Sequence, residues 1–139
     1  MQQQQQIRAN RIVTVGNVTS VTHATTTPTT GLPIDWPNIG RVLWIVGSVR
    51  GATSNDNYVT GMSSLAFRID IAGVQELVTN GSAGDFLVFS EAFPSAGFRM
   101  PISREVKQRE RWFVYFANYH TGTDFTPHLS FGFYDATQK

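Results

Sequence analysis

The chain has 139 residues, 41% of them apolar and 15% charged, and no cysteine. That length suits one domain and excludes a second, and the missing thiols exclude a disulfide framework or a thiolate metal site. Eleven basic and ten acidic side chains leave a net charge of +1, far from the concentrated positive field of genome-packaging proteins, so nucleic acid is not an expected partner.

Gln2 to Gln6 form a low-complexity polar run. The stretch from Arg11 to Thr22 is rich in β-branched residues, and Val13, Val15 and Val21 share one parity with Asn17 and Thr19 between them. This predicts a weak edge strand, with another subunit as its expected partner. From Ala24 to Pro37, three prolines (Pro28, Pro33 and Pro37) favour extended geometry and remove ladder donors, which predicts a linker draped on a surface. Trp36 sits where this linker enters the body, as an anchor in a surface pocket or a platform for a sugar. Residues 1–31 therefore read as an extended arm and residues 32–139 as a β-sandwich domain of about 100 residues. No charged segment followed by an apolar one opens the chain. Its longest apolar runs, Val42 to Val46 and Trp112 to Ala117, fall far short of the ~20 residues that span a bilayer, so no membrane contact is expected.

The body reads as strand after strand, with no window of helical apolar spacing. Arg41 to Val49 comes first, then a polar loop from Gly51 to Asn57. The cleanest alternation follows, with Leu65, Phe67, Ile69 and Ile71 facing a core and Ala66, Arg68, Asp70 and Ala72 facing water. Val74 to Thr79 and Phe86 to Phe89 flank Asn80-Gly81, a hairpin-turn pair in a longer loop. Phe98, Met100 and Ile102 alternate again, and Pro101 marks an edge or a strand end. Arg111 to Tyr119 and Leu129 to Tyr134 are expected to form a long hairpin around the loop from His120 to Pro127. In the first of these, Trp112, Val114 and Phe116 oppose Phe113, Tyr115 and Ala117, so both faces are apolar. Val42, Trp44 and Val46 oppose Leu43 and Ile45 in the same way. Rows like these leave an apolar patch of several hundred Å² unless the arm or another subunit covers it.

Residues with chemical potential are few. His120, Asp124 and His128 offer two imidazoles and a carboxylate for a zinc with an open position, but a loop with Gly122 and three threonines is more simply a solvated turn. Glu105 and Glu110 fall on opposite faces of a continuous strand, among cations that neutralise them. Ser82 lacks the G-x-S-x-G spacing of a nucleophile elbow, and Ser54 to Asn57 supply only one carboxylate for calcium. The glycosylation triplets at Asn17 and Asn80 come without an export signal. The chain is thus read as a non-enzyme without metal or cofactor. Its one concentration of charge (Arg99, Arg104, Lys107, Arg109 and Arg111) lacks interleaved stacking aromatics and fits subunit contact, as does the excess of nine arginines over two lysines.

From Leu65 to Asn118 the order is an alternating strand through Arg68-Ile69-Asp70, a short return Val74-Gln75-Glu76-Leu77-Val78, and a Gly-Ser-Ala-Gly turn. Phe86 to Phe89, Phe98-Arg99-Met100-Pro101-Ile102 and a strand ending Phe116-Ala117-Asn118 follow. This resembles the small single jelly-roll and related β-sandwich virion proteins of bacteriophages: decoration or cement, penton and spike-base subunits. The resemblance implies an all-β antiparallel jelly-roll sandwich with an extended N-terminal arm, in a virion assembled in the host cytoplasm. The near-neutral charge points to a decoration, cement or minor capsid role. A homo-oligomer, trimer or pentamer, is expected, with a major capsid protein as further partner. The expected subunit interface is Ile12, Val13, Val15 and Val21 of the arm, with Trp36, Arg99, Arg104, Arg109, Arg111, Trp112 and Tyr115. Removing residues 1–31 is expected to leave the body folded but unable to assemble. The alternatives are a carbohydrate- or receptor-binding module using Trp36, Tyr58, Tyr119 and His120, and a metal-dependent enzyme at His120, Asp124 and His128.

Overall fold

A computed structural model describes residues 7–16, 21–24, 31–36, 38–50, 55–71, 75–78 and 86–137. The glutamine run, both glycosylation triplets, Ser54, Ser82 and the Asn80-Gly81 turn lie outside the described residues. In chain order the elements are β1 (Arg11–Gly16), β2 (Leu32–Trp36), β3 (Gly40–Arg50), α1 (Asn55–Ser64), β4 (Leu65–Ile71) and β5 (Gln75–Val78). After these come β6 (Leu87–Val88), α2 (Phe89–Ala92), β7 (Met100–Val106), β8 (Glu110–Asn118) and β9 (Thr126–Asp135).

The strands form two antiparallel sheets, one ordered β1-β9-β3-β7 and the other β2-β8-β4-β5, with β6 also on β4. In this arrangement β8 and β9 separate β1 and β2 from β3 and β4, each in its own sheet. Wrapping strand pairs across two sheets in this way makes a jelly roll. The expected hairpin of β8 with β9 is therefore corrected: the two strands lie in different sheets, and the loop between them crosses from one layer to the other. Similarly, β5 and β6 each pair with β4 and, among the described residues, not with each other.

The alternation read in β4 holds, since Leu65, Phe67, Ile69 and Ile71 all enter the core. Its other face is drier than expected: Ala66 is fully buried, and Arg68 and Asp70 keep only 16% and 19% of their side-chain surface. In β3 the alternation breaks at a bulge between Val42 and Trp44, against both neighbouring strands. One extra residue reverses the facing of everything beyond it. Val42 and Ile45 therefore both point inward, and Trp44 turns outward. On the outward face of β8, Ala117 packs with Ala66 and Phe86 of the same chain, with Val88 and Tyr115 alongside.

Trp36 and Trp112, expected at an interface, have no exposed surface. Trp36 lies between the sheets, its ring centroid 5.1 Å from that of Trp112 and 4.9 Å from that of Phe133. The supposed linker thus contains an edge strand, β2, that drives its tryptophan into the core. Val21 is also buried, bridging to Phe125.

The helix α1 occupies part of the segment expected as a loop. Val59, Thr60 and Gly61 give it weak intrinsic propensity. Packing overrides this: Met62 is buried, and Gly61 lies so close to the core that a Cβ there would come within 2.7 Å of Val49 and 3.1 Å of Phe125.

Candidate functional site

The β-branched run of β1 forms the strand its residue types favour, but it pairs with β9 of the same chain, from Arg11 opposite Phe133 to Gly16 opposite His128. Val13 and Val15 pack against the core, while Ile12 stays 65% exposed on the outer face. Beyond β9, on that same face, Trp44 lies over Gly132, where a Cβ would come within 2.1 Å of the indole. The Arg99 guanidinium stacks 4.5 Å above the Trp44 ring. Ile7, Arg8, Ala9, Ile12, Leu43, Trp44 and Arg99 share an open concavity of about 580 Å³, apolar but for its two arginines. The arm and the outward tryptophan thus form one surface, which sequence alone did not join because the bulge in β3 set the facing of Trp44.

A buried carboxylate fixes this surface to the body. The Asp135 side chain has no exposed area and accepts from Arg11 (Nη1, 3.3 Å), Asn38 (Nδ2, 2.9 Å) and Thr137 (Oγ1, 2.6 Å; N, 2.9 Å). Asn10 closes the clamp with its amide, donating to the Asp135 carbonyl and accepting from the Asp135 N–H. Nothing local in the sequence signals this, because its partners are up to 125 residues apart.

The hydrogen bonds from Thr137 and Asn38, with Arg11 adding its charge, outweigh burial and hold the Asp135 carboxyl below the usual aspartate range. A depressed carboxylate stabilises the fold above the unfolded value of about 3.9, and that contribution disappears as pH falls through the lowered folded value. Asp135→Asn should therefore speed hydrogen exchange at the β1 amides relative to β4 at neutral pH, and should flatten the loss of melting temperature below about pH 4. Unchanged β1 protection in the variant would show that the clamp does not hold the strand.

The basic cluster does not act as one patch. Arg111 forms a two-pronged pair with Asp35 (2.6 and 3.2 Å), which lowers the carboxyl and raises the guanidinium. Arg99 is committed to Trp44, and Arg104 is half-buried on β7. Arg109 is exposed at a backbone φ of 63°, in the turn where the Glu110 N–H donates to the Lys107 carbonyl. A side chain in that left-handed region costs about 1–2 kcal/mol. Glu110 accepts from the Trp112 indole (2.8 Å) and lines a concavity with Glu105, Arg104 and Lys107. Tyr115 is half-buried on the outer face of the second sheet, under the Arg68 guanidinium at 4.9 Å.

The histidine loop does not form the considered metal centre. His120 Nδ1 accepts from the N–H groups of Gly122 and Thr123, and buried Asn118 holds the loop through Val21, Thr123 and His120. Asp124 pairs with His23 (2.7 Å), whose backbone N–H and ring keep the carboxyl low. His128 faces Ser48 on β3, and burial, then Arg50, push its imidazole below the usual value. Among the described residues no three acidic or histidine side chains converge on a metal position. Of the sugar-binding candidates, Trp36 is inaccessible, Tyr58 is half-buried on α1, and Tyr119 is 44% exposed. No helix among the described residues is long and apolar enough to cross a membrane.

Compared with protein-family models, curated proteins and solved structures, the chain matches none of them.

Proposed function

We propose that this protein is a non-enzymatic virion structural subunit, a decoration, cement or minor capsid protein that self-associates and sits against a major capsid protein. Jelly rolls build viral capsid domains, but they also build lectins and cupins, so the fold by itself does not choose. The supporting observation is where the N-terminal segment goes. It enters the first sheet as an edge strand, with Ile12 exposed beside a concavity floored by Trp44. A strand edge next to an exposed apolar surface suits assembly through strand addition, with many weak contacts multiplied around a particle. The carbohydrate-binding alternative loses its strongest aromatic with the burial of Trp36.

Mass spectrometry of density-purified particles from the source of this chain should find it at a fixed ratio to the major capsid protein. Its absence from such particles, with the protein present in the lysate, would refute the proposal. The truncation that separates assembly from folding is also redefined. Removing residues 1–31 takes away Val13 and Val15, which pack on the core, so the body loses stability along with any contact. Removing residues 1–9 keeps β1 and the Asp135 clamp intact.

A further inference from the structure

We infer that the free edge of β1 is a self-complementary contact, at which two copies of this chain pair their β1 strands antiparallel about a two-fold axis at Thr14. This rests on the assembly role proposed above and names the partner and register of that surface. Five strands lie at sheet edges: β1 and β7 in the first sheet, and β2, β5 and the two-residue β6 in the second. Edges that must stay single carry proline, charge or very short strands. β2 has Pro33 and Asp35, β7 has Pro101 and Arg104, and β5 is four residues long with Glu76 inside it. β1 carries no proline, its one charge, Arg11, stands at the first residue and pairs with Asp135, and among the described residues only β9 pairs with the strand.

When one edge is open and the others are blocked, edge pairing between identical chains joins that edge to itself, which makes the contact isologous. Directly opposed residues in an antiparallel pair share a face, so the two registry numbers must sum to an even number for the sheets to continue. An axis at Thr14 sets Val13 against Val15 of the second copy on the inner side. On the outer side it sets Thr14 against Thr14 and Ile12 against Gly16, where the absent side chain leaves room for the exposed isoleucine. It also places the two Arg11 charges at opposite ends, whereas an axis at Val13 would set Arg11 against Val15. The two four-stranded sheets then become one continuous sheet, and the Trp44 surfaces of both copies lie on the same side of it.

Because the chain has no cysteine, a single introduced thiol reports on this contact. Residues at the axis stand about 4.5–5.5 Å apart between Cα atoms, within the disulfide range of about 4.4–6.8 Å. Thr14→Cys should cross-link into dimers at least about tenfold more than a Tyr119→Cys control, since pairing raises the effective thiol concentration. Ile12→Cys alone should not, because its copies stand about 13 Å apart, but mixed with Gly16→Cys it should. Thr14→Lys and Thr14→Glu should each weaken self-association about fivefold at unchanged melting temperature, and mixing the two should restore it. Equal cross-linking of Thr14→Cys and Tyr119→Cys would overturn the contact, as would trimers or pentamers without an even-numbered species. Either outcome would leave the virion role standing if the chain is present in purified particles. Stronger cross-linking by Ile12→Cys alone would overturn the register.

Discussion

Trp36→Ala lowers the stability of the fold by about 3–5 kcal/mol, the usual cost of emptying a buried aromatic site. The indole has no exposed surface and touches Trp112 of one sheet and both Phe131 and Phe133 of the other, so its removal opens a void that neither layer can close alone. Urea unfolding would measure this directly, with the slope unchanged if only the folded state is affected. A loss under about 1 kcal/mol would return Trp36 to the role of a surface anchor. Trp36→Phe sharpens the test. Among the described residues the Trp36 Nε1 is buried without a hydrogen-bond partner, and an unsatisfied buried donor costs about 1–3 kcal/mol. Phenylalanine removes that donor along with part of the apolar area, so the two effects offset and the variant should stay within about 1.5 kcal/mol of the parent.

The second large effect is expected at Gly40. A Cβ there would lie 2.0 Å from the Tyr134 carbonyl oxygen and 2.6 Å from the Phe133 ring. The obstacle is backbone, and the register of Gly40 with Asp135 and Val106 holds it on both sides. Gly40→Ala should therefore cost about 3 kcal/mol, at the upper end of overpacking penalties. Gly122→Ala is the control, since nothing lies within 4 Å of its added carbon, and it should change stability by less than about 0.5 kcal/mol. Equal melting temperatures for the two variants would mean that β3 and β9 separate more easily than their pairing implies.

Much of the architecture was legible because a half-buried strand writes its period into the sequence. β3, β4 and β8 were each read within a residue at either end, since burial on one face leaves an apolar residue at every second position. Less legible was which apolar residues share a face. In β3 the bulge shifts the parity, so Val42 and Ile45 share the core despite their odd spacing. In β8 the second face is covered at Ala117 by Phe86, which comes from a segment distant in the chain. Neither cause is local. Trp36 misled for a related reason: prolines around it described an extended backbone correctly, and extended backbone is equally the conformation of an edge strand. The helix α1 carried no periodic signal, because Val59 faces water and the helix is held by Gly61 and Met62 against the core. The interface candidates divided along the same line. Ile12, Arg99 and Arg109 are exposed, whereas Val21, Trp36 and Trp112 are structural.

The clamp at Asp135 also brings the first and last strands of the sandwich together at their ends. Asn10 and Asp135 exchange hydrogen bonds between β1 and β9, so the two ends of the sandwich meet at one point on one rim. A short bridge between them would close the backbone into a ring, and a new opening at the exposed Thr121-Gly122 tip would yield a circular permutant with every strand pairing kept. Passengers joined next to Asn10 or Thr137 would therefore share one rim of the sandwich, leaving the opposite rim clear.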